Sequence, residues 1–416
     1  MPQQHRVVIT GLGAVTPLGL DVPSTWQGLV EGRSAAHRVT DFDVSDLDVQ
    51  IAAQVQGFDP RNYVSYREAR RFPRFAILAI AATQEAIADA GLNLEKEDRT
   101  RVGLEIGSAV GGIDIIVDQA QTFMEYGPKR VNPVLIPYFI INAAPCQLAI
   151  MLDLHGPCSA PVSACATGIN AIGESFHRLK YGEADVMIAG GTEGAICRLG
   201  LAVFGGIRAL THKYNHAPQR ACRPFDAQRS GTVIAEGAAV VVMETLEHAR
   251  RRDARIYAEV VGYGLSADGY HIAAPDPTGR GNAVSFSQAL AEAGLQPGDI
   301  PLIYAHGTAT PLNDAAETRA IKIAFGDHAY RLAVSANKSM LGHMLGAAGS
   351  ISVINAVLTL QHHRITPTIN LETPDPECDL DYVPLVAREA VVDAVLANSS
   401  GFGGQNASLI VRRWGE

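Results

Sequence analysis

The residues able to do chemistry fall at three turns. Cys165 sits in Ser163-Ala164-Cys165-Ala166-Thr167-Gly168, after a Pro/Ser turn and at the mouth of a helical pattern. A thiol there faces orphan backbone N–H groups and the positive end of a helix dipole, both of which favour the thiolate. Its small neighbours leave room for a bulky group. The plainer alternative is a small buried hydrophobe, the usual state of a free cysteine, and position alone leaves both open. His306 lies in Ala305-His306-Gly307-Thr308-Ala309-Thr310-Pro311, just after a strand-like run, and His343 closes Lys338-Ser339-Met340-Leu341-Gly342-His343. Either histidine alone reads as structural. Two at comparable strand-to-helix turns, beside a candidate nucleophile, read as a site, and Lys338 adds a cation or proton donor.

The run Ser400-Gly401-Phe402-Gly403-Gly404-Gln405 permits unusual backbone angles and exposes amides, as an oxyanion hole or as a tight turn. Neither it nor Gly11-Leu12-Gly13 fits a dinucleotide fingerprint, because the third glycine is missing. His212 and His216 sit four apart in a loop without a carboxylate or cysteine at ligand spacing, so no metal site is expected.

These turns need a frame. Continuous apolar runs predict strands over 7–10, 102–106, 185–189, 239–243, 257–261, 302–305, 332–334 and 409–411, as in sheets buried on both faces. Between them, helical patterns cover 75–89, 167–181, 283–293, 315–325 and 345–361. In the second of these, Ile169, Ile172, Phe176 and Leu179 form one apolar stripe. Strands alternating with helices predict α/β layers. The order strand, glycine-rich turn, long helix occurs twice, through VSACATG and VSANKSMLGH, and each half ends in an apolar strand, AAVVVME and NASLIVRR. A duplicated unit is expected, 1–254 and 255–416, packed as one body. The Pro- and Arg-rich stretch 211–230 reads as a long ordered loop.

The 416 residues carry 34 Lys+Arg against 43 Asp+Glu, a net charge of −9, with 47% hydrophobic residues. That supplies a large core and excludes a disordered chain. The acidic balance argues against nucleic acid as a partner. No uncharged apolar stretch reaches about 18 residues, so no membrane span is expected. With no signal-peptide pattern and no metal-like spacing among Cys146, Cys158, Cys165, Cys197, Cys222 and Cys378, the expectation is a cytoplasmic protein with free thiols.

Taken in order, VVITGLGAVTPLG (7–19), SACATG (163–168), ADVMIAGGTE (184–193), AHGTATP (305–311), KSMLGHMLGAAG (338–349) and GFGGQNASLIV (401–411) resemble the elongating type II β-ketoacyl-[acyl-carrier-protein] synthases of the thiolase superfamily. The resemblance runs nearly end to end and implies a thiolase-like duplicated α/β/α/β/α fold. It implies that Cys165 takes an acyl chain from a carrier-protein thioester, and that malonyl-carrier protein then loses CO2 and attacks it to give a 3-oxoacyl product. Backbone amides of Cys165 and Phe402 would bind the thioester oxygen, and His306 and His343 the enolate oxygen. Lys338 and Glu317 would support the histidines. Thr308 and Thr310 would bind the pantetheine arm, near His271 and Gly403, while Phe402 gates the acyl pocket and Val110 limits its length. No resident cofactor is implied, since phosphopantetheine arrives on the acyl carrier protein. That partner would dock on Arg67, Arg70, Arg71 (with Arg74 beside them), Arg208 and Lys213. A homodimer is implied, with a heterodimer containing a nucleophile-free partner as the alternative.

Thiolases use a second cysteine near the C-terminus, and no cysteine follows Cys378; initiating synthases carry Asn where this chain has His343. Three positions depart from the pattern. Ser352 stands where relatives carry Glu fourteen residues after the lysine. Ser400 stands where they read Phe, and Ala273 where they carry a hydroxyl. These departures leave fatty-acid elongation and a specialised polyketide or polyene ketosynthase both open. A non-condensing carrier-protein scaffold and a cysteine hydrolase are the competing classes. The first would bind carrier protein without acylation, and the second would need a general base oriented by Asn or Asp.

Overall fold

The computed structural model describes residues 4–415. Ten strands form its main sheet: β1 (Val7–Val15), β2 (Val102–Gly107), β3 (Cys158–Ser159), β4 (Val186–Glu193), β5 (Gly237–Thr245), β6 (Ala258–Ala267), β7 (Leu302–Tyr304), β8 (Ala333–Ser335), β9 (Ala394–Gly401) and β10 (Gln405–Arg413). Their spatial order is β8-β7-β9-β10-β6-β1-β5-β4-β2-β3. Outward from the central pair β6–β1, both halves repeat one scheme. An antiparallel neighbour (β10 or β5) is followed by a second antiparallel pairing (β9 or β4), then two parallel strands. Within the main sheet the halves join where Val7–Ile9 pairs antiparallel with 258–260.

The helices complete the layers. Arg74–Ala90 packs on β1, β5 and β4, and Arg280–Ala293 packs on β6 and β10. Thr167–Lys180 and Ala348–His362 touch each other and strands of both halves, and so form the middle layer. The second of these is buried at every residue from Ala348 to Leu360, the composition expected of a helix with protein on all sides. The result is a thiolase-like α/β fold.

The unexplained Gly11-Leu12-Gly13 has a packing role. A Cβ on Gly11 would come 2.3 Å from Ala86 O, and one on Gly13 would come 1.9 Å from Ala82 O, so glycine lets helix Arg74–Ala90 lie directly on β1. Gly262 and Gly264 do the same on β6, at 2.2 Å from Ala289 O and 1.9 Å from Ser285 O.

Several elements differ from the sequence expectation. Strand β9 is absent from the predicted set, because the three consecutive polar residues Asn398, Ser399 and Ser400 cut its apolar run short. The amphipathic helix Ile113–Tyr126 was likewise missed. The predicted helix 345–361 begins as a 3-10 turn, Leu345–Ala347, before Ala348–His362. The loop 211–230 contains only the turn Pro218–Arg220. It is held by Arg223 Nε bonded to Asp226 within the loop (2.9 Å) and by Arg229 bonded to Asp375 outside it (2.5 Å).

Candidate active site

The nucleophile turn is built from its ends inward. Ser163 N–H donates to Thr167 Oγ1 (2.9 Å), Asn170 Nδ2 donates to Ser163 Oγ (2.6 Å), and Ala166 N–H donates to Ser163 O (3.0 Å). Ala164 is held at φ 51, a left-handed conformation costing roughly 1 kcal/mol for alanine. The repeat shows the same kink, with Leu345 at φ 44 immediately before its own central-layer helix. Gly401, at the end of β9, closes over this turn: a Cβ there would lie 2.4 Å from Ser163 O and 3.1 Å from Cys165 N. The hairpin tip carrying Phe402 therefore sits beside the cysteine. Among the described residues, the amides of Cys165 and Phe402 donate to no backbone carbonyl.

Two further turns bring in the histidines. His306 follows β7, where Ala305 N–H donates to Ser335 O (2.9 Å). His343 is pinned as an added backbone rung: its N–H donates to Val233 O (2.7 Å) and its carbonyl accepts from Ala235 N–H (2.9 Å). His343 Nε2 lies 3.1 Å from Cys165 Sγ, and the two imidazole rings meet edge to face at 5.4 Å. One ligand atom from each of Cys165, His306 and His343 falls within 4.8 Å of the others. A soft cation could be held by such a set, but Lys338 is buried close enough to depress both histidines electrostatically, and its charge opposes a second cation.

Electrostatics sets the protonation states. Burial, reinforced by the Lys338 charge, drives both histidines well below their ordinary value, so both are neutral at pH 7. Leu345 N–H donates to His343 Nδ1 (3.2 Å), which places the His343 proton on Nε2, facing the sulfur. Ser399 Oγ lies 2.7 Å from Cys165 O and 3.3 Å from His306 Nδ1. Its single proton goes to the nearer carbonyl, and its lone pair is left for His306 Nδ1–H. The expectation of a thiolate fails. Cys165 lies in the 3-10 turn Ala164–Ala166, ahead of the helix proper, and burial pushes its thiol up to about 12 against the lowering effect of Lys338.

Glu317 is buried and accepts from His306 N–H (2.7 Å), Gly307 N–H (2.8 Å) and Asn398 Nδ2 (2.6 Å), tying the histidine turn to β9. Ser352 bonds to Asn337 Nδ2 and to Ala348 O, completing a neutral contact where relatives place a carboxylate. Glu193, at the end of the ADVMIAGGTE strand, was not singled out in the sequence. It accepts from Ser108 Oγ (2.9 Å), Ala109 N–H (3.0 Å) and Gly346 N–H (3.1 Å), so it fastens the turn after His343 to β4. The only sequence signal was an acidic residue ending an otherwise apolar strand.

Above the triad opens a cavity of about 330 Å³ lined by Cys165, His306, His343, Thr308, Thr310, Arg208, Ala273, Ser400, Phe402 and Gly403, among others. Thr308 and Thr310 hydroxyls bond each other at 2.9 Å. His271 does not line it: the exposed ring accepts from Ala273 and Ala274 N–H (3.1 Å each), and those two alanines face the cavity instead. Val110 is also outside the cavity, half-buried against the same apolar cluster as Cys165. Arg67, Arg70, Arg71, Arg208 and Lys213 are exposed, and none forms an ion pair among the described residues. Arg74, grouped with them in the sequence, is instead committed to Glu236 at 2.5 and 2.6 Å.

A nucleophile turn, two neutral histidines from the second repeat and a glycine-rich hairpin on a duplicated α/β body define a thiolase-type condensing site. The chain belongs to the β-ketoacyl synthase family: residues 4–249 match its N-terminal domain and 257–372 its C-terminal domain. It is 45% identical over 412 residues to the 3-oxoacyl-[acyl-carrier-protein] synthase 2 of Synechocystis sp., covering 99% of each chain. Among solved structures it is similar to the ishigamide ketosynthase/chain length factor (35% identity, TM-score 0.92, 99% of this chain and 100% of that one). It is also similar to a type II polyketide synthase ketosynthase solved with its acyl-carrier protein (30% identity, TM-score 0.92, with the same coverage).

Proposed function

We propose that the protein is an elongating 3-oxoacyl-[acyl-carrier-protein] synthase that condenses malonyl-carrier protein with an acyl group on Cys165. The observation that carries this reading is the contact of His343 Nε2 with Cys165 Sγ at 3.1 Å, with His306 alongside and unpaired amides at Cys165 and Phe402.

In the first half-reaction the Cys165 sulfur attacks the thioester carbonyl. Its proton passes to the departing pantetheine sulfur, so a thiol near 12 need never accumulate as thiolate in the empty site. The amides of Cys165 and Phe402 receive the tetrahedral oxyanion, where one such donor is worth about 10²–10³ in rate. In the second, the malonyl C–CO2 bond breaks and its electron pair becomes the enolate, whose oxygen accepts from His343 Nε2–H. The enolate carbon attacks the Cys165 thioester, the C–S bond breaks, and the released thiolate takes a proton from solvent as 3-oxoacyl-carrier protein leaves. His306 joins as a second donor in its Nε2–H tautomer, reached by proton exchange with solvent, in which the Ser399 hydroxyl turns from Cys165 O to donate to the bare Nδ1. Lys338 and Glu317 hold this network, and Thr308 and Thr310 receive the pantetheine amides. No resident cofactor takes part.

Arg67, Arg70 and Arg71, on and just beyond the short helix Tyr66–Ala69, and Arg208 with Lys213 offer unpaired positive charge to an acidic carrier protein. A second copy of the chain pairs with the outer strand β3, beside exposed Met124, Ile136, Ile150 and Val162, giving a homodimer; among the described residues no helix is long and apolar enough to cross a membrane. A hydrolase would need His343 as base, but its Nδ1 accepts an amide proton where a base would donate to Asp or Asn. Incubation with acyl- and malonyl-carrier protein tests the reading: a product two carbons longer with CO2 release supports it, and free acid or no turnover refutes it.

A further inference from the structure

The duplication offers an internal comparison. Gly11 and Gly13 on β1 correspond to Gly262 and Gly264 on β6, since a Cβ at each pair would meet its helix backbone at nearly the same distances. Leu12 therefore corresponds to Tyr263. In the middle layer the kinks at Ala164 and Leu345 correspond, as do the helix starts at Thr167 and Ala348, which pairs Asn170 with Ile351. All four of these residues are buried. On the side of the second central helix the two positions are apolar. On the side of the helix that follows Cys165 they are a phenol and an amide, and these bond each other. Tyr263 OH donates to Asn170 Oδ1 at 3.2 Å, with Glu174 as a second acceptor at 3.3 Å, and Asn170 Nδ2 donates to Ser163 Oγ at 2.6 Å.

We propose that Tyr263 is a positioning residue for acyl transfer: through Asn170 and Ser163 it keeps Ala164 in its left-handed turn and the Cys165 amide aimed at the thioester oxygen. This rests on the condensing function proposed above and gives the second repeat a part in the first half-reaction. The Tyr263 ring is itself fixed. A Cβ on Gly173 would lie 2.4 Å from its edge, its own N–H donates to Glu292 (2.9 Å), and the His177 ring meets it edge to face at 5.4 Å. The chain of bonds ends on the residue just before Ala164, whose φ of 51 carries the strain of the nucleophile turn. The Cys165 N–H lies in the peptide plane that Ala164 orients, so a hold on Ser163 is a hold on the direction of that donor. The histidines are held by other groups, His343 on Val233 and Ala235 and His306 on Glu317, so the second half-reaction does not depend on this chain of bonds.

The test separates the two half-reactions in Tyr263→Phe, which keeps the ring packed on Gly173 and removes only the hydroxyl. Loading of Cys165 from saturating acyl-carrier protein, followed by intact mass, should slow about tenfold, the upper worth of one net hydrogen bond, with KM unchanged. CO2 release from malonyl-carrier protein in the absence of an acyl donor should keep its wild-type rate. Asn170→Ala should slow loading at least as much, and the double variant should lose no more than Asn170→Ala alone, because the tyrosine acts through the asparagine. Unchanged loading in Tyr263→Phe, an equal fall in loading and CO2 release, or losses that add in the double variant would overturn the proposal. Failure of the folded wild type to load Cys165 would instead remove the condensing function on which it rests, and the two failures are read separately.

Discussion

His343 Nε2 stands 3.1 Å from Cys165 Sγ while its other ring nitrogen accepts the Leu345 amide proton, so the imidazole faces the sulfur as a donor. This orientation links two residues 178 positions apart, one from each repeat, and it separates a condensing site from a hydrolytic one.

If His343 acts as a donor to the enolate, His343→Ala should lower condensation about 10²–10³-fold. Acylation of Cys165 should survive, because the amides of Cys165 and Phe402 serve that step. Separate rates for acyl transfer and for CO2 release from malonyl-carrier protein check this. Equal loss of both would assign His343 to thiol activation.

The thiol at about 12 makes a second expectation. Alkylation of Cys165 by iodoacetamide should be slow at pH 7 and still rising at pH 10, with no plateau near 8.5. Because the Lys338 charge lowers this value, Lys338→Met should slow alkylation further. A plateau at neutral pH would contradict the neutral resting thiol.

Ser399 holds both the Cys165 carbonyl and His306 Nδ1. Ser399→Ala should reduce kcat about tenfold with little change in KM for carrier protein, and Ser399→Thr should restore much of it. A change confined to KM would place Ser399 in docking.

Glu193 is a carboxyl that burial raises to about 7. Its folded value lies above its unfolded one, so its stabilising contribution is complete below about 4.5 and is lost as pH rises through about 7. Glu193→Gln keeps acceptor and donor capacity for Gly346, Ala109 and Ser108 without ionising, and should flatten the fall of Tm between pH 5 and 8. An unchanged profile would show that other groups set it.

Charge reversal of Arg67, Arg70 and Arg71 to Glu should raise KM for acyl-carrier protein and remove its salt dependence, leaving turnover of small pantetheine thioesters intact. Equal loss with both substrates would place these arginines outside docking.

Much of this site was legible because its chemistry is confined to turns with distinctive residues. Cys165, His306, His343 and the Gly401–Gly404 tip could be named from residue type and position, and the duplication was visible in paired strand-turn-helix patterns. What was hidden depends on distance and burial. Glu193 and Ser399 look like ordinary strand residues until the fold brings Gly346 and Cys165 against them. Arg74 is indistinguishable from Arg71 in sequence and differs only by meeting Glu236. The thiolate expectation counted the helix end and missed the desolvation of a buried sulfur. His271 was placed by the family resemblance, but its exposed ring accepts the Ala273 and Ala274 amides, and those two alanines line the cavity in its stead.

The central claim, that Cys165 carries the acyl group through a decarboxylative condensation, is tested most directly by intact-protein mass measurement. The protein is incubated with acyl-carrier protein and then with malonyl-carrier protein. A mass gain equal to one acyl group, located at Cys165 and absent in Cys165→Ala, should disappear on malonyl addition as 3-oxoacyl-carrier protein forms. Stable carrier-protein binding with no acyl adduct in folded protein would contradict the account and leave a non-condensing carrier-protein scaffold.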